Sequence, residues 1–164
     1  MTSMTYLIRH ASPDRSRTDL RYDVPPGPPL TPEGEAEAER LGAWLRGAGV
    51  TALWASPLER TRHTAELAGA VAGIPVVHGV AGLAEWVRGE AEAAVLERLR
   101  PIWHGALAEA AAGRPVGLVT HGGPIRALLA ALGLDDDRLA HYVRQFDHGN
   151  PMPPAGVWRT ARVA

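Results

Sequence analysis

The sequence predicts a single-domain α/β fold, a three-layer α/β/α sandwich around a mostly parallel central sheet. Three observations predict it. Short apolar runs at 6–8, 50–55, 74–77 and 116–119 recur along the chain, and each reads as a buried strand. Between them lie longer stretches with apolar residues at helical spacing, jointed by glycine and proline, as strand–helix alternation requires. Two strand ends carry a histidine, His10 and His121, on the edge where open α/β sheets bind ligands.

Composition bounds the function. The chain has 164 residues, 46% hydrophobic and 21% charged, with a formal net charge of −1. This is one globular domain, spanning 1–164, with a sizeable core and no global field to attract nucleic acid or an acidic membrane. All 17 basic residues are arginine, so each cationic site is a permanently charged fork donor. There is no cysteine, which excludes disulfides, thiolate metal sites and cysteine nucleophiles. No stretch reads as a membrane span or signal peptide, so a soluble cytoplasmic protein is expected.

The first strand, Tyr6 to Ala11, ends in Arg9-His10. Alone, that pair cannot be told from a polar strand end. A proline-punctuated loop of about 20 residues follows, carrying Arg15, Arg17 and Arg21, either anion contacts or solvated side chains. Thr31-Pro32-Glu33 reads as a helix start, with a threonine cap and proline in the first turn. Gly47 and Gly49 end that helix, and its Glu35, Glu37 and Glu39 read as a solvated face.

Val50–Ala55 is the second strand. Ser56 and Glu59 have capping-box spacing, with Pro57 at the first helical position. Arg60 then falls in the first turn of a helix running to about Ala72, where a cation opposes the dipole; such a local violation marks a functional candidate. Arg62 and His63 read as surface or supporting residues. Ile74–Val77 is a short strand, followed by a glycine-rich segment holding Glu85. The pattern from Glu90 is helical, broken or kinked at Pro101, and resumes to Gly113. Arg114–Thr120 is another buried strand. It delivers His121 to the start of a helix, where Gly122 and Gly123 let a ligand approach the backbone and free N–H groups favour an anion. Asp135–Asp137 caps a connector. Tyr142–Phe146 and Gly156–Thr160 alternate like edge strands, separated by a turn at 147–151.

Two histidines and two arginines on one sheet edge describe a pocket for a dianion, most simply a phosphoryl group. Neutral His10 can attack phosphorus. Arg9, Arg60 and His121 can spread over the equatorial oxygens. Glu85 can protonate the leaving oxygen and then activate water, a role that a pKa raised by burial beside phosphate would serve. His78, His104, His141 and His148 lack metal-ligand spacing, so no metal is expected. There is no Gly-x-Ser-x-Gly elbow and no lysine-bearing phosphate loop, against serine hydrolase and nucleotide kinase chemistry.

Five segments together resemble the histidine phosphatase superfamily, also called phosphoglycerate mutase-like: Leu7-Ile8-Arg9-His10, Leu30-Thr31-Pro32-Glu33-Gly34, Ser56-Pro57-Leu58-Glu59-Arg60-Thr61 with Thr64-Ala65, Leu83-Ala84-Glu85, and Val119-Thr120-His121-Gly122-Gly123. The resemblance covers nearly the whole chain. It implies a phosphorylated His10, Arg60 as a phosphate ligand, His121 as the second histidine and Glu85 as the acid of the mutase branch. Ala11 and Ser12 depart from the family's common Gly and Glu, Glu37 from its Gln, and Ser16 stands where many members carry a phosphate-contacting Asn. The expectation is hydrolysis of a small phosphorylated metabolite without a cofactor. The alternatives are a cofactor-dependent phosphoglycerate mutase and a non-catalytic phosphate-binding module.

Overall fold

The structure, a computed structural model, describes residues 2–162. Its sheet has five strands: β1 (Ser3–Arg9), β2 (Ala52–Ala55), β3 (Val76–Val77), β4 (Val116–Thr120) and β5 (Val157–Arg162). They lie in the order β3-β2-β4-β1-β5. All neighbours are parallel except β5, which runs antiparallel to β1. The helices are α1 (Pro32–Gly47), α2 (Glu59–Ala72), α3 (Glu92–Ala111), α4 (Gly122–Ala131) and α5 (Asp136–Val143).

Alternation along the strands builds two cores. Leu7, Val116 and Leu118 face Leu99, Trp103, Ile125 and Leu128 of α3 and α4. Tyr6, Ile8, Leu53 and Val119 face Leu41, Leu45, Ala65 and Ala68 of α1 and α2. Successive strand residues point to opposite faces, so a sheet covered on both sides must be apolar at every position. This is the expected three-layer sandwich. No helix among the described residues is long and apolar enough to cross a membrane.

Several local expectations are corrected. Ser56 and Pro57 do not start α2. Leu58 is its N-cap, and its aliphatic side chain makes no cap bond; the Ser56 hydroxyl lies outside the helix, between the Leu58 amide and His121. Pro101 lies inside a continuous α3 rather than dividing it. Tyr142 belongs to α5, not to a strand. Asp135 caps that helix by accepting from the Arg138 amide at 2.9 Å, and the Tyr142 ring packs edge-on against Trp158 at 4.9 Å. Glu37 is not a solvated charge: its carboxylate accepts from the Ser12 amide at 2.8 Å and the Ser12 hydroxyl at 2.7 Å, pinning the loop after His10 to α1. The Thr31 cap is as expected, accepting from the Gly34 amide at 3.0 Å.

Candidate active site

His10 and His121 are the residues directly after β1 and β4, and their ring centroids are 5.3 Å apart. His10 is 2% exposed and His121 fully buried. The His10 Nδ1 lies 2.7 Å from the Ala11 carbonyl oxygen. A carbonyl only accepts, so that nitrogen carries the proton and Nε2 keeps the lone pair. Burial, then the charges of Arg60, His121 and Arg9, hold the His10 imidazole well below its ordinary pKa. The ring is therefore neutral at neutral pH, with the Nε2 lone pair free.

Ser56 fixes the other ring. Its Oγ lies 2.8 Å from His121 Nε2 and accepts from the Leu58 amide at 3.3 Å. The hydroxyl proton is thus free to donate to Nε2, leaving the ring proton on Nδ1. That Nδ1 lies 3.3 Å from Glu85 Oε2 but without hydrogen-bond alignment. Burial, against the pull of Glu85, keeps His121 below the usual imidazole range.

Arg60 is fully buried, and its Nη2 donates to Glu85 Oε2 at 3.1 Å. The Tyr22 ring covers the guanidinium at 3.9 Å, a cation–π contact. On another side Gly27, in the left-handed region at φ 69, brings its backbone so close that a Cβ would lie 2.7 Å from Arg60 Nη1. The loop after β1 therefore walls the site.

Glu85 is held by its own loop. Its Oε1 accepts from the Trp86 amide at 2.8 Å. Arg98 of α3 gathers the loop by donating to the carbonyls of Gly82, Ala84 and Glu85 at 3.1, 2.8 and 3.0 Å and to the Glu90 carboxylate at 2.9 and 3.0 Å. Burial pushes the Glu85 carboxyl up, but His121, Arg60 and the Trp86 amide outweigh it and hold it at about 2. The expected raised pKa is thus reversed in the protein by itself, because the cationic and donor groups that would share a phosphate converge on Glu85.

Arg9 is 1% exposed. Its fork pairs with both oxygens of Asp147 at 2.6 Å and also donates to the Met152 carbonyl at 3.1 Å. Only its Nε lacks a partner, so direct contact with an anion falls to that one donor. Ser16 does not join the cluster: it is exposed, and its hydroxyl and amide bond Asp14 at 2.6 and 3.0 Å in a local turn. At Gly122 the space of the missing Cβ is filled by the Asn150 side chain rather than offered to a ligand. The Asn150 amide also donates to the Asp147 carbonyl at 2.9 Å, closing the turn that presents Asp147 to Arg9. The Gly123 side is nearer the chemistry, with Glu85 Oε1 3.7 Å from where a Cβ would stand.

Sequence reasoning brought together His10, Arg60, Glu85 and His121 but missed Ser56, Tyr22, Arg98 and Asp147. Only Ser56 carried a signal, a polar residue at a third strand end. The coordinating atoms of His10, Glu85 and His121 lie within 4.8 Å of one another, near enough to hold a metal ion. Arg60 sits on the same Glu85 oxygen, however, and a permanent positive charge there disfavours a cation and favours an anion.

No curated protein matches the chain in sequence. Among solved structures, a mycobacterial glucosyl-3-phosphoglycerate phosphatase aligns over 98% of this chain and 91% of its own, with 21% identity and a TM-score of 0.71. A protein from Thermus thermophilus aligns over 98% and 97%, with 27% identity and a TM-score of 0.64. A phosphoglycerate mutase from Bacillus anthracis aligns over 98% and 88%, with 16% identity and a TM-score of 0.75. These proteins share the fold. A model of the histidine phosphatase superfamily, branch 1, matches residues 5–93 and 80–149, and the chain, with its paired histidines at neighbouring strand ends, belongs to that superfamily.

Proposed function

We propose that the protein is a phosphomonoester hydrolase that works through a phosphohistidine on His10, acting on a small phosphorylated metabolite in the cytoplasm. One observation carries the reading. Among the described residues, the buried side-chain nitrogens without a hydrogen-bond partner are Arg9 Nε, Arg60 Nε and Nη1, and His121 Nδ1. Buried polar groups are almost always satisfied, and a cluster of unmatched donors around a neutral imidazole calls for an acceptor-rich anion. A phosphoryl group supplies three equatorial oxygens for it.

In this reading the His10 Nε2 lone pair forms the N–P bond as the ester P–O bond breaks. The leaving oxygen takes a proton from Glu85. Water then attacks the phosphohistidine, its proton passes to the Glu85 carboxylate, and the N–P bond breaks to release inorganic phosphate. Arg60 and His121 stabilise charge on the equatorial oxygens in both steps. Arg9 contributes through Nε, held in place by Asp147.

The test is rapid quenching after mixing with a labelled aryl phosphate, followed by peptide mapping. An acid-labile label on His10, lost in His10→Ala, is expected. Label elsewhere, or turnover abolished by a chelator and restored by a divalent metal, would overturn the mechanism.

A further inference from the structure

One open depression in the surface has no part in the transfer chemistry described above. It lies between the loop after β1 and the loop before α3, has a volume of about 670 Å³, and is lined by Arg21, Asp23, Trp86 and Arg88. That volume is within the range of small-molecule sites. Chain neighbours tie it to the reacting groups. Trp86 follows Glu85 and gives it a backbone hydrogen bond. Arg21 and Asp23 flank Tyr22, whose ring covers Arg60. The depression is therefore walled by the chain neighbours of Glu85 and of the ring that covers Arg60.

We propose that the cavity is a leaving-group subsite that selects esters bearing a second negative charge, with Arg88 as its specificity-determining residue. The proposal rests on the phosphoryl-transfer reading above for the direction of the leaving group. The charge balance of the walls supports it. Asp23 is already engaged: its carboxylate accepts from Arg21 at 3.0 and 3.2 Å and from the Arg88 amide at 2.8 Å. The Arg88 guanidinium is exposed and has no acidic partner among the described residues. The four lining residues thus carry one uncompensated positive charge, on a planar fork suited to a carboxylate or a phosphate.

The walls are also preorganised. The Asp23 bond to the Arg88 amide links the two loops across the cavity. The Trp86 indole N–H donates to the Glu90 carbonyl at 2.7 Å, and Glu90 is in turn held by Arg98. A cavity whose sides are fixed before binding loses less entropy on binding.

Three probes with a common frame test the proposal: propyl phosphate, 3-phosphonooxypropanoate and 1,3-propanediol bisphosphate. Binding is measured by calorimetry on His10→Ala, so no turnover is needed, with and without Arg88→Gln. Both acidic probes are expected to bind at least tenfold tighter than propyl phosphate, and Arg88→Gln to narrow the gap to threefold or less. The better of the two identifies the second group as carboxylate or phosphate. Equal binding of all three, or a preference that survives Arg88→Gln, overturns the subsite while leaving hydrolysis intact. A preference that vanishes with Arg88→Gln in a protein with no turnover of any ester upholds the subsite and overturns the hydrolytic reading. Should His10→Ala fail to fold, the same ratios are read from kcat/KM in the otherwise unchanged protein.

Discussion

The source of the leaving-group proton gives the sharpest test of the proposed chemistry. With its carboxyl held at about 2 by His121, Arg60 and the Trp86 amide, Glu85 is ionised at pH 7 in the protein by itself. The proton it passes to the leaving oxygen must therefore arrive with the substrate. Phosphate monoesters have a second pKa near ~6, so the monoanion brings one. Once bound, a phosphoryl charge about 5 Å from the carboxylate raises it by about 3 kcal/mol per unit charge at an effective dielectric of ~20. Arg60 also turns from Glu85 to the phosphate. One proton is then shared between ester and carboxyl.

The assay is the pH dependence of kcat/KM for two alkyl phosphates whose second pKa values differ by about one unit. The alkaline limb should begin at each ester's own second pKa and move with it. Glu85→Gln should flatten the limb, because no carboxylate remains to receive the proton. On the acid side, the lowered pKa of His10 keeps the nucleophile neutral as pH falls through 6.5, and its protonation cuts the rate only well below that value. A limb at the same pH for both esters, or a rate constant to pH 9, would refute the shared-proton argument.

Three further outcomes are expected. Arg98→Gln removes the fork that gathers the Glu85 loop, so urea denaturation should show a loss of about 2–4 kcal/mol, the sum of several charge-assisted hydrogen bonds net of those water replaces, and turnover of esters with poor leaving groups should fall at least tenfold. Gly122→Ala puts a Cβ where the Asn150 side chain lies; kcat/KM should drop as the Asp147 turn opens, and Asn150→Gly, which removes the side-chain bond that closes the same turn, should lower it in the same direction, while an unchanged kcat/KM in both variants would mean that this turn does not position Arg9. The Asp147 carboxyl is held below its ordinary pKa, chiefly by the Arg9 hydrogen bonds; its stabilisation is present above the unfolded value of about 3.9 and is lost as pH falls through the lowered folded value. Melting temperature should therefore fall more steeply on acidification in the parent than in Asp147→Asn, by an amount reduced by the half-exposed position of Asp147.

The fold and the polar groups that meet at the sheet edge were legible because they follow from local patterns. Buried strands read as apolar runs, and His10, His121 and Arg60 each stand one or a few residues past a strand end. The groups that hold them in place were not legible. Asp147 is 138 positions from Arg9, and no local period links the two. Ser56 with Glu59 fits a helix-capping pattern, and its bond to His121 becomes visible only when β2 and β4 are adjacent. Tyr142–Phe146 alternates over too few residues to separate a strand from a short amphipathic helix. Glu37 lies among exposed glutamates of α1, and only the path of the loop after His10 sets it apart.

The parallel pairing of β1 with β4, in register at Arg9 and Thr120, has a consequence for how the site can vary. The ladder continues one step further, with the His10 amide donating to the Thr120 carbonyl at 3.1 Å. The separation of the two imidazoles, 5.3 Å, is close to the ~4.8 Å spacing of neighbouring strands. The main chain is thus the ruler that sets it. A slip of one residue would carry one ring about 3.3 Å along the strand and turn it to the opposite face, so the spacing comes in steps and has no fine adjustment. The loops that wall the pocket can be rebuilt around a different ligand, while the distance between the two histidines stays as the backbone hydrogen bonds made it.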